Sequence, residues 1–169
     1  GRLEAIVLRP ARNVEAVCSE EAQAVAGLGL VGDRRAGVPR HGEEARRREV
    51  TLVQAEHLPL IATWVGRASV APRQLRRNLV VSGVNLLALS SPFPGQRLLW
   101  RIGAEVVVEA TGPCAPCSRM ETALGPGAYN AMRGHGGITA RIVQGGWLRR
   151  GDPVAVCTAD EEAIRNSLG

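Results

Sequence analysis

Apolar residues along this chain come in short runs broken by glycine and proline. Residues 3–9 form a first apolar run of strand length. Residues 49–54 set Val50 and Leu52 against Thr51 and Val53, an alternation that predicts a strand. Residues 55–65 change period: Leu58, Ile61, Ala62 and Val65 recur at helical spacing, with Pro59 falling in the first turn where it is tolerated. Four more strands follow at 78–82, 97–102, 105–110 and 137–143, and a last one at 153–157. Residues 159–168 read as a polar terminal helix or tail. Strands spaced roughly ten residues apart, with scattered turn residues, predict a barrel or sandwich. The alternating strand–helix rhythm of a doubly wound sheet is missing. No repeat, low-complexity segment or linker divides the chain, so its 169 residues read as one domain.

Composition narrows the function classes. Apolar residues at 45% describe a globular chain. Aromatics at 3% leave few rings for stacking nucleic-acid bases, so nucleic acid is not an expected partner. No stretch of 18 apolar residues occurs, so a membrane is not expected either. Net charge is +5 and every side-chain cation is Arg, whose planar fork suits phosphate and stays charged when partly buried. Most of these arginines read as solvated surface, including the run Arg46-Arg47-Arg48 behind Glu43 and Glu44. The four cysteines, Cys18, Cys114, Cys117 and Cys157, are not needed as staples at this length. The chain reads as cytoplasmic and reduced, although its first residue is Gly1 rather than Met and a removed targeting segment is compatible with it.

The chemistry concentrates in Thr111-Gly-Pro-Cys114-Ala-Pro-Cys117-Ser-Arg-Met-Glu-Thr122, between a strand and a short helical segment. Ser118 can cap that helix, and a helix end beside Arg119 favours thiolate over thiol. The bland alternative is a buried, inert cysteine pair. A thioredoxin-like dithiol would need an α/β rhythm that is missing. A zinc site would need a second close ligand pair, whereas Cys18, Cys157, His41, His57 and His135 stand singly. One reactive thiolate, ligating a soft metal or carrying sulfur, fits best.

Three weaker segments accompany it. Gly29-Leu-Val-Gly-Asp33-Arg34-Arg35 joins turn glycines to an Asp-Arg pair; alternatively, Asp33 simply bonds its own turn. Arg76-Arg77-Asn78 places donors at a strand start, where they could hold a phosphate or the edge of a heterocycle, or form an exposed edge. Gly134-His135-Gly136-Gly137 allows close backbone approach to a ligand, and its His135 suits an ordinary exposed turn.

In this order, Gly29-Leu-Val-Gly-Asp-Arg34, Arg76-x-Asn78-Leu-Val-Val-Ser-Gly83, Gly112-Pro-Cys-x-Pro-Cys117-Ser-Arg-Met-Glu121 and Gly137-Ile-Thr-Ala-Arg-Ile-Val-x-Gly-Gly146 with Gly151-Asp152 resemble the MOSC domain. That is the domain at the C-terminus of molybdenum cofactor sulfurases and in stand-alone bacterial proteins. The resemblance runs from about residue 4 to about residue 157. It implies a mainly β fold, a closed barrel with a few peripheral helices. It implies binding of the molybdenum cofactor, a pterin with a dithiolene and a phosphate, and no need for pyridoxal phosphate.

The family's characteristic cysteine maps onto Cys117, as metal ligand or persulfide carrier and so as catalytic residue. Cys114, where many relatives carry Arg and some carry Cys, could resolve an oxidised or persulfidated Cys117. In related amidoxime-reducing enzymes an Arg-x-Asn contacts the cofactor, which maps onto Arg76 and Asn78. Arg34 matches the family's Gly-Asp-Arg turn as a further cofactor-binding residue, and Arg35 stands where relatives often have His. Two function classes follow: a small molybdoenzyme acting on N-hydroxylated compounds, or a sulfur-transfer protein using a Cys117 persulfide without metal. Both imply a small-molecule substrate and an electron-donor or sulfur-donor protein.

Overall fold

The computed structural model describes residues 1–37, 48–88, 93 and 98–158. Its strands are β1 (Arg2–Leu8), β2 (Val17–Ser19), β3 (Glu21–Val25), β4 (Gly29–Leu30), β5 (Val50–Gln54), β6 (Leu79–Ser82), β7 (Leu98–Ile102), β8 (Val106–Pro113), β9 (Ile138–Gln144), β10 (Gly146–Arg149) and β11 (Val154–Thr158). Four short helices accompany them: α1 (His57–Trp64), α2 (Pro72–Leu75), α3 (Arg119–Leu124) and α4 (Ala128–Ala131). The expected strands all appear, within a residue or two except that β8 runs on to Pro113, and α1 is the expected helix. The terminal helix or tail at 159–168, and Arg46 and Arg47, lie outside the described residues.

Eight strands form one sheet in the order β11-β7-β8-β9-β5-β6-β1-β2, and β10-β3-β4 form a second. The expected closed barrel is corrected here: neither sheet closes on itself. The start of β1 does approach the start of β11, through the Arg2↔Pro153 bridge and the bond from Val154 N–H to the Gly1 carbonyl. Pro153 has no N–H to extend that ladder. One strand–helix–strand unit also appears, because β5 and β6 pair in parallel across α1 and α2.

Two apolar clusters explain the layering. The larger packs Leu3, Ile6, Leu52, Leu79, Trp100 and Val108 of the main sheet against Ala22, Ala24, Leu30 and Leu148 of the small one. The smaller packs Ala5, Val53 and Val80 on the opposite face against Ile61, Leu75, Met120, Leu124 and Met132 of the helical layer. The central strands are thus buried on both faces, which is why β6 reads Leu79-Val-Val rather than alternating. No helix among the described residues is long and apolar enough to cross a membrane.

Register brings the distant motifs together. Pro113 pairs with Ile138, Ile138 with Leu52, and Leu52 with Leu79. The segment leaving β8 at Cys114 and the segment entering β6 from Asn78 therefore lie within a residue of one level across four neighbouring strands.

Candidate functional site

A cleft of about 370 Å³ opens where these segments meet. Among the described residues that line it, seven of fourteen are arginines and Glu49 is the one carboxylate. Arg34, Arg76, Asn78, Cys114 and Cys117 all line it, so the structure gathers every residue that the sequence singled out as a site candidate. Size and polarity fit a small-molecule site anchored by charge.

Three consecutive residues leave the end of α2 in three directions. Arg76 caps that helix in the left-handed region at φ 55, which is costly for a residue with a Cβ. The kink turns the Arg76 side chain to the cleft, Arg77 inward beneath the cysteine loop, and Asn78 into the floor.

The floor is a satisfied polar cluster. Arg9 meets Asp33 in a two-pronged pair, Nε to Oδ2 at 2.7 Å and Nη2 to Oδ1 at 3.0 Å. Asp33 also accepts from the main-chain N–H groups of Arg9 and Arg35 and from Asn78 Nδ2. Burial would raise the Asp33 pKa, but the hydrogen bonds and charge of Arg9, helped by those N–H groups, hold it below the usual carboxylate value. Asn78 is buried and its amide is fully used: Nδ2 donates to the Val7 carbonyl and Asp33, and Oδ1 accepts from Arg9 Nη2, Thr51 Oγ1 and Thr51 N–H. Asn78 therefore holds other groups in place and keeps no free donor for a ligand in this arrangement. Sequence reasoning missed Arg9 and Thr51, since nothing in the one-dimensional pattern marks either.

The wall differs. Arg34 Nε and Arg76 Nη2 are buried, yet neither has a hydrogen-bond partner among the described residues. Arg76 Nη1 reaches only the Val14 carbonyl, at 3.4 Å. Burial and the positive charges of Arg119, Arg9 and Arg34 lower the Arg76 pKa, against the opposing pull of Asp33. Two inward N–H groups without acceptors, among mutually repelling guanidiniums, suit an anionic ligand.

The two thiols are unequal. Cys117 is exposed at the rim, whereas Cys114 is 7% exposed. Both are free. Ser118 stands at the α3 N-terminus but makes no capping bond with its side chain, contrary to expectation. The first α3 N–H groups instead turn back: Met120 donates to the Cys117 carbonyl and Glu121 to that of Ser118. The glycines at 136 and 137 serve backbone approach, as expected, though to protein rather than ligand. A Cβ on Gly136 would strike the Cys114 carbonyl, and one on Gly137, at φ +85, the Leu52 carbonyl. His135 is not an ordinary exposed turn residue. It is half-buried, edge-on to His57 at 4.7 Å between ring centroids and beside Trp64 at 4.9 Å. No group of three or more potential metal ligands from His, Cys, Asp and Glu occurs among the described residues, and His41 lies outside them.

Comparison with known proteins sets this geometry in context. The family model of the MOSC domain matches residues 36–155. Among solved structures, the YuaD protein from Bacillus subtilis is similar with a TM-score of 0.72 at 20% identity, covering 92% of this chain and 94% of that one. YiiM from Geobacillus stearothermophilus superposes with a TM-score of 0.66 at 15% identity, covering 92% and 74% respectively. YiiM from Escherichia coli gives 0.63 at 17%, covering 93% and 70%. At such identities the likeness is one of fold. No curated protein matches the chain.

Proposed function

This chain belongs to the MOSC domain family, and from that premise we propose that it works as one domain whose basic cleft binds the molybdenum cofactor, in a small enzyme reducing N-hydroxylated compounds. The observation that carries this reading is the meeting of an exposed thiol, Cys117, with two buried guanidinium N–H groups, on Arg34 and Arg76, that have no acceptor among the described residues. The donor set fits the group chemically. A soft metal takes a cysteine sulfur, and a phosphate takes paired guanidiniums.

In this scheme Cys117 Sγ holds the metal, and Arg34 and Arg76 hold the phosphate. Arg119 adds positive charge at the rim. The Arg9–Asp33–Asn78 floor fixes the turn that carries Arg34, since Arg34 N–H donates to the Arg9 carbonyl at 2.7 Å. When bound, the cofactor supplies the two-electron redox chemistry, and the protein supplies binding and orientation. An electron-donor protein and a small-molecule substrate complete the scheme. The exposed thiol Cys117 and the nearby Cys114, neither in a disulfide, suit a reducing, cytoplasmic setting.

The exposure of Cys117 also favours a second reading, a sulfur-transfer protein. There Cys117 carries sulfane sulfur as a persulfide. An acceptor thiolate attacks the terminal sulfur, and Cys117 leaves as thiolate.

Metal analysis and pterin extraction, on protein made in a molybdenum-replete host, separate the two. Molybdenum and pterin near one per chain in the wild type, and loss of both in Cys117→Ser and Arg76→Ala, are expected from the first reading. Metal-free protein that carries cyanide-releasable sulfur on Cys117 would replace it with the second.

A further inference from the structure

Two thiols three residues apart line one cleft, yet one is exposed and the other buried. Arg77 bonds the main chain at the buried one. This arginine is 6% exposed, and its partners among the described residues are four main-chain carbonyls. Nε donates to Gly136 at 2.6 Å and Nη1 to Leu75 at 3.2 Å. Nη2 donates to Cys114 at 3.4 Å and Ala115 at 3.3 Å. One rigid fork thus joins the end of α2, the cysteine loop and the glycine loop before β9.

The clamp stops between the two cysteines. Cys114 is held at both main-chain polar groups: its carbonyl by Arg77, its N–H by the Gly137 carbonyl at 2.8 Å. Arg77 holds the Ala115 carbonyl as well and reaches no further. Beyond Pro116 the Cys117 carbonyl belongs to the first turn of α3, accepting from Met120 N–H at 2.9 Å. Residue 114 is therefore fixed with its side chain inside, and residue 117 stands at the rim.

We propose that Arg77 is a positioning residue that selects the working thiol: by gripping the carbonyls of Cys114 and Ala115 it keeps Cys114 buried and leaves Cys117 as the sulfur presented to the cleft. A buried cation satisfied by carbonyls is suited to this task. Losing it leaves several carbonyls without donors at once, and the loop can satisfy them only by opening to water.

The inference deepens the reading of Cys117 given above, but its test needs no metal. The rate of iodoacetamide modification of each cysteine is followed by peptide mass spectrometry in native protein with no added metal. In the wild type Cys117 reacts much faster than Cys114. In Arg77→Met the Cys114 rate rises about 30-fold or more, as several charge-assisted bonds are lost and local opening becomes easier. Arg77→Lys keeps the charge but reaches fewer carbonyls, so Cys114 rises less, by at least about fivefold. Half-buried Cys157, in β11, serves as the internal control and keeps its rate in both variants. An unchanged Cys114 rate in either folded variant overturns the proposal. So does a rise shared equally by Cys157, which would mark general loosening. If Arg77→Met does not fold, Arg77→Lys decides alone. Protein without molybdenum but with this thiol selectivity intact would retire the cofactor reading and leave the role of Arg77 standing.

Discussion

Floor and wall of the same cleft use the same residue type to opposite ends. In the floor, Arg9 meets a carboxylate, and Asp33 and Asn78 have their hydrogen-bonding groups matched. In the wall, Arg34, Arg76 and Arg119 crowd together, and two buried N–H groups have no acceptor among the described residues. An arginine whose charge is matched inside the protein contributes to folding. One whose charge is left unmatched burdens the fold with repulsion, which a bound anion would relieve. The floor should therefore govern stability and the wall affinity.

The strongest way to break this contrast is to unbalance the floor. Asp33→Ala strands Arg9 in a buried site, and a loss of about 3–5 kcal/mol is expected. Arg9→Met with Asp33→Leu removes both charges and should lose much less. Urea unfolding measures both, and a single-variant loss under about 1 kcal/mol would place the pair among weak surface bridges. The pH dependence has a definite sign. The Asp33 pKa is lowered on folding, so its contribution is complete above the ordinary value of 3.8 and disappears as pH falls through the depressed value. Asp33→Asn should flatten that acid limb of the stability curve.

The wall sharpens the contrast from the other side. Arg76→Gly relieves the left-handed backbone and the crowding of like charges, so stability should rise by about 1 kcal/mol. The same change should weaken phosphate binding at least about tenfold. Calorimetric titration with inorganic phosphate, beside urea unfolding, reads both. A stability loss with unchanged binding would move Arg76 into the floor. Phosphate should also raise the melting temperature of the wild type by several degrees through mass action, and the rise should vanish in Arg34→Ala.

The smallest effect concerns a third polar region, the edge-on pair His57 and His135, which belongs to neither floor nor wall. Burial and the nearby His135 lower the His57 pKa, outweighing the pull of the His135 main-chain carbonyl and the charge of Glu56. Stability linked to His57 is then complete above about 6.5, the unfolded value, and falls with pH below it. His57→Gln should reduce the slope of stability with pH just below about 6.5.

Much of the strand set was legible because apolar runs of strand length, punctuated by glycine and proline, encode it locally. Strands β2, β3, β4 and β10 were not. They are short or made of small and polar residues such as Glu21-Ala-Gln-Ala-Val25, and only the partner strand gives them a face. Sheet closure was misjudged because a single bridge at Pro153 is a matter of geometry, invisible to spacing. In the candidate site, Cys117, Arg76 and Arg34, singled out by motif and family resemblance, line one cleft. Arg9 and Arg77 were not singled out, because one arginine looks like another until its partners are known. Asn78 stands in the same motif as Arg76, but the five groups that hold its amide come from distant segments and only the fold brings them to it.

By itself the sequence determined the residue types that make this cleft possible: a mainly β chain, a pair of spaced thiols and a cation set made wholly of arginine. These are local properties, carried by side-chain chemistry and short-range pattern. Tertiary structure alone decided which arginine is neutralised, which cysteine is buried and which buried N–H groups have no acceptor among the described residues. Those outcomes depend on contacts between segments as far apart as residues 9 and 78, or 77 and 136. Strand register and one left-handed residue, rather than any neighbour in the chain, set those contacts.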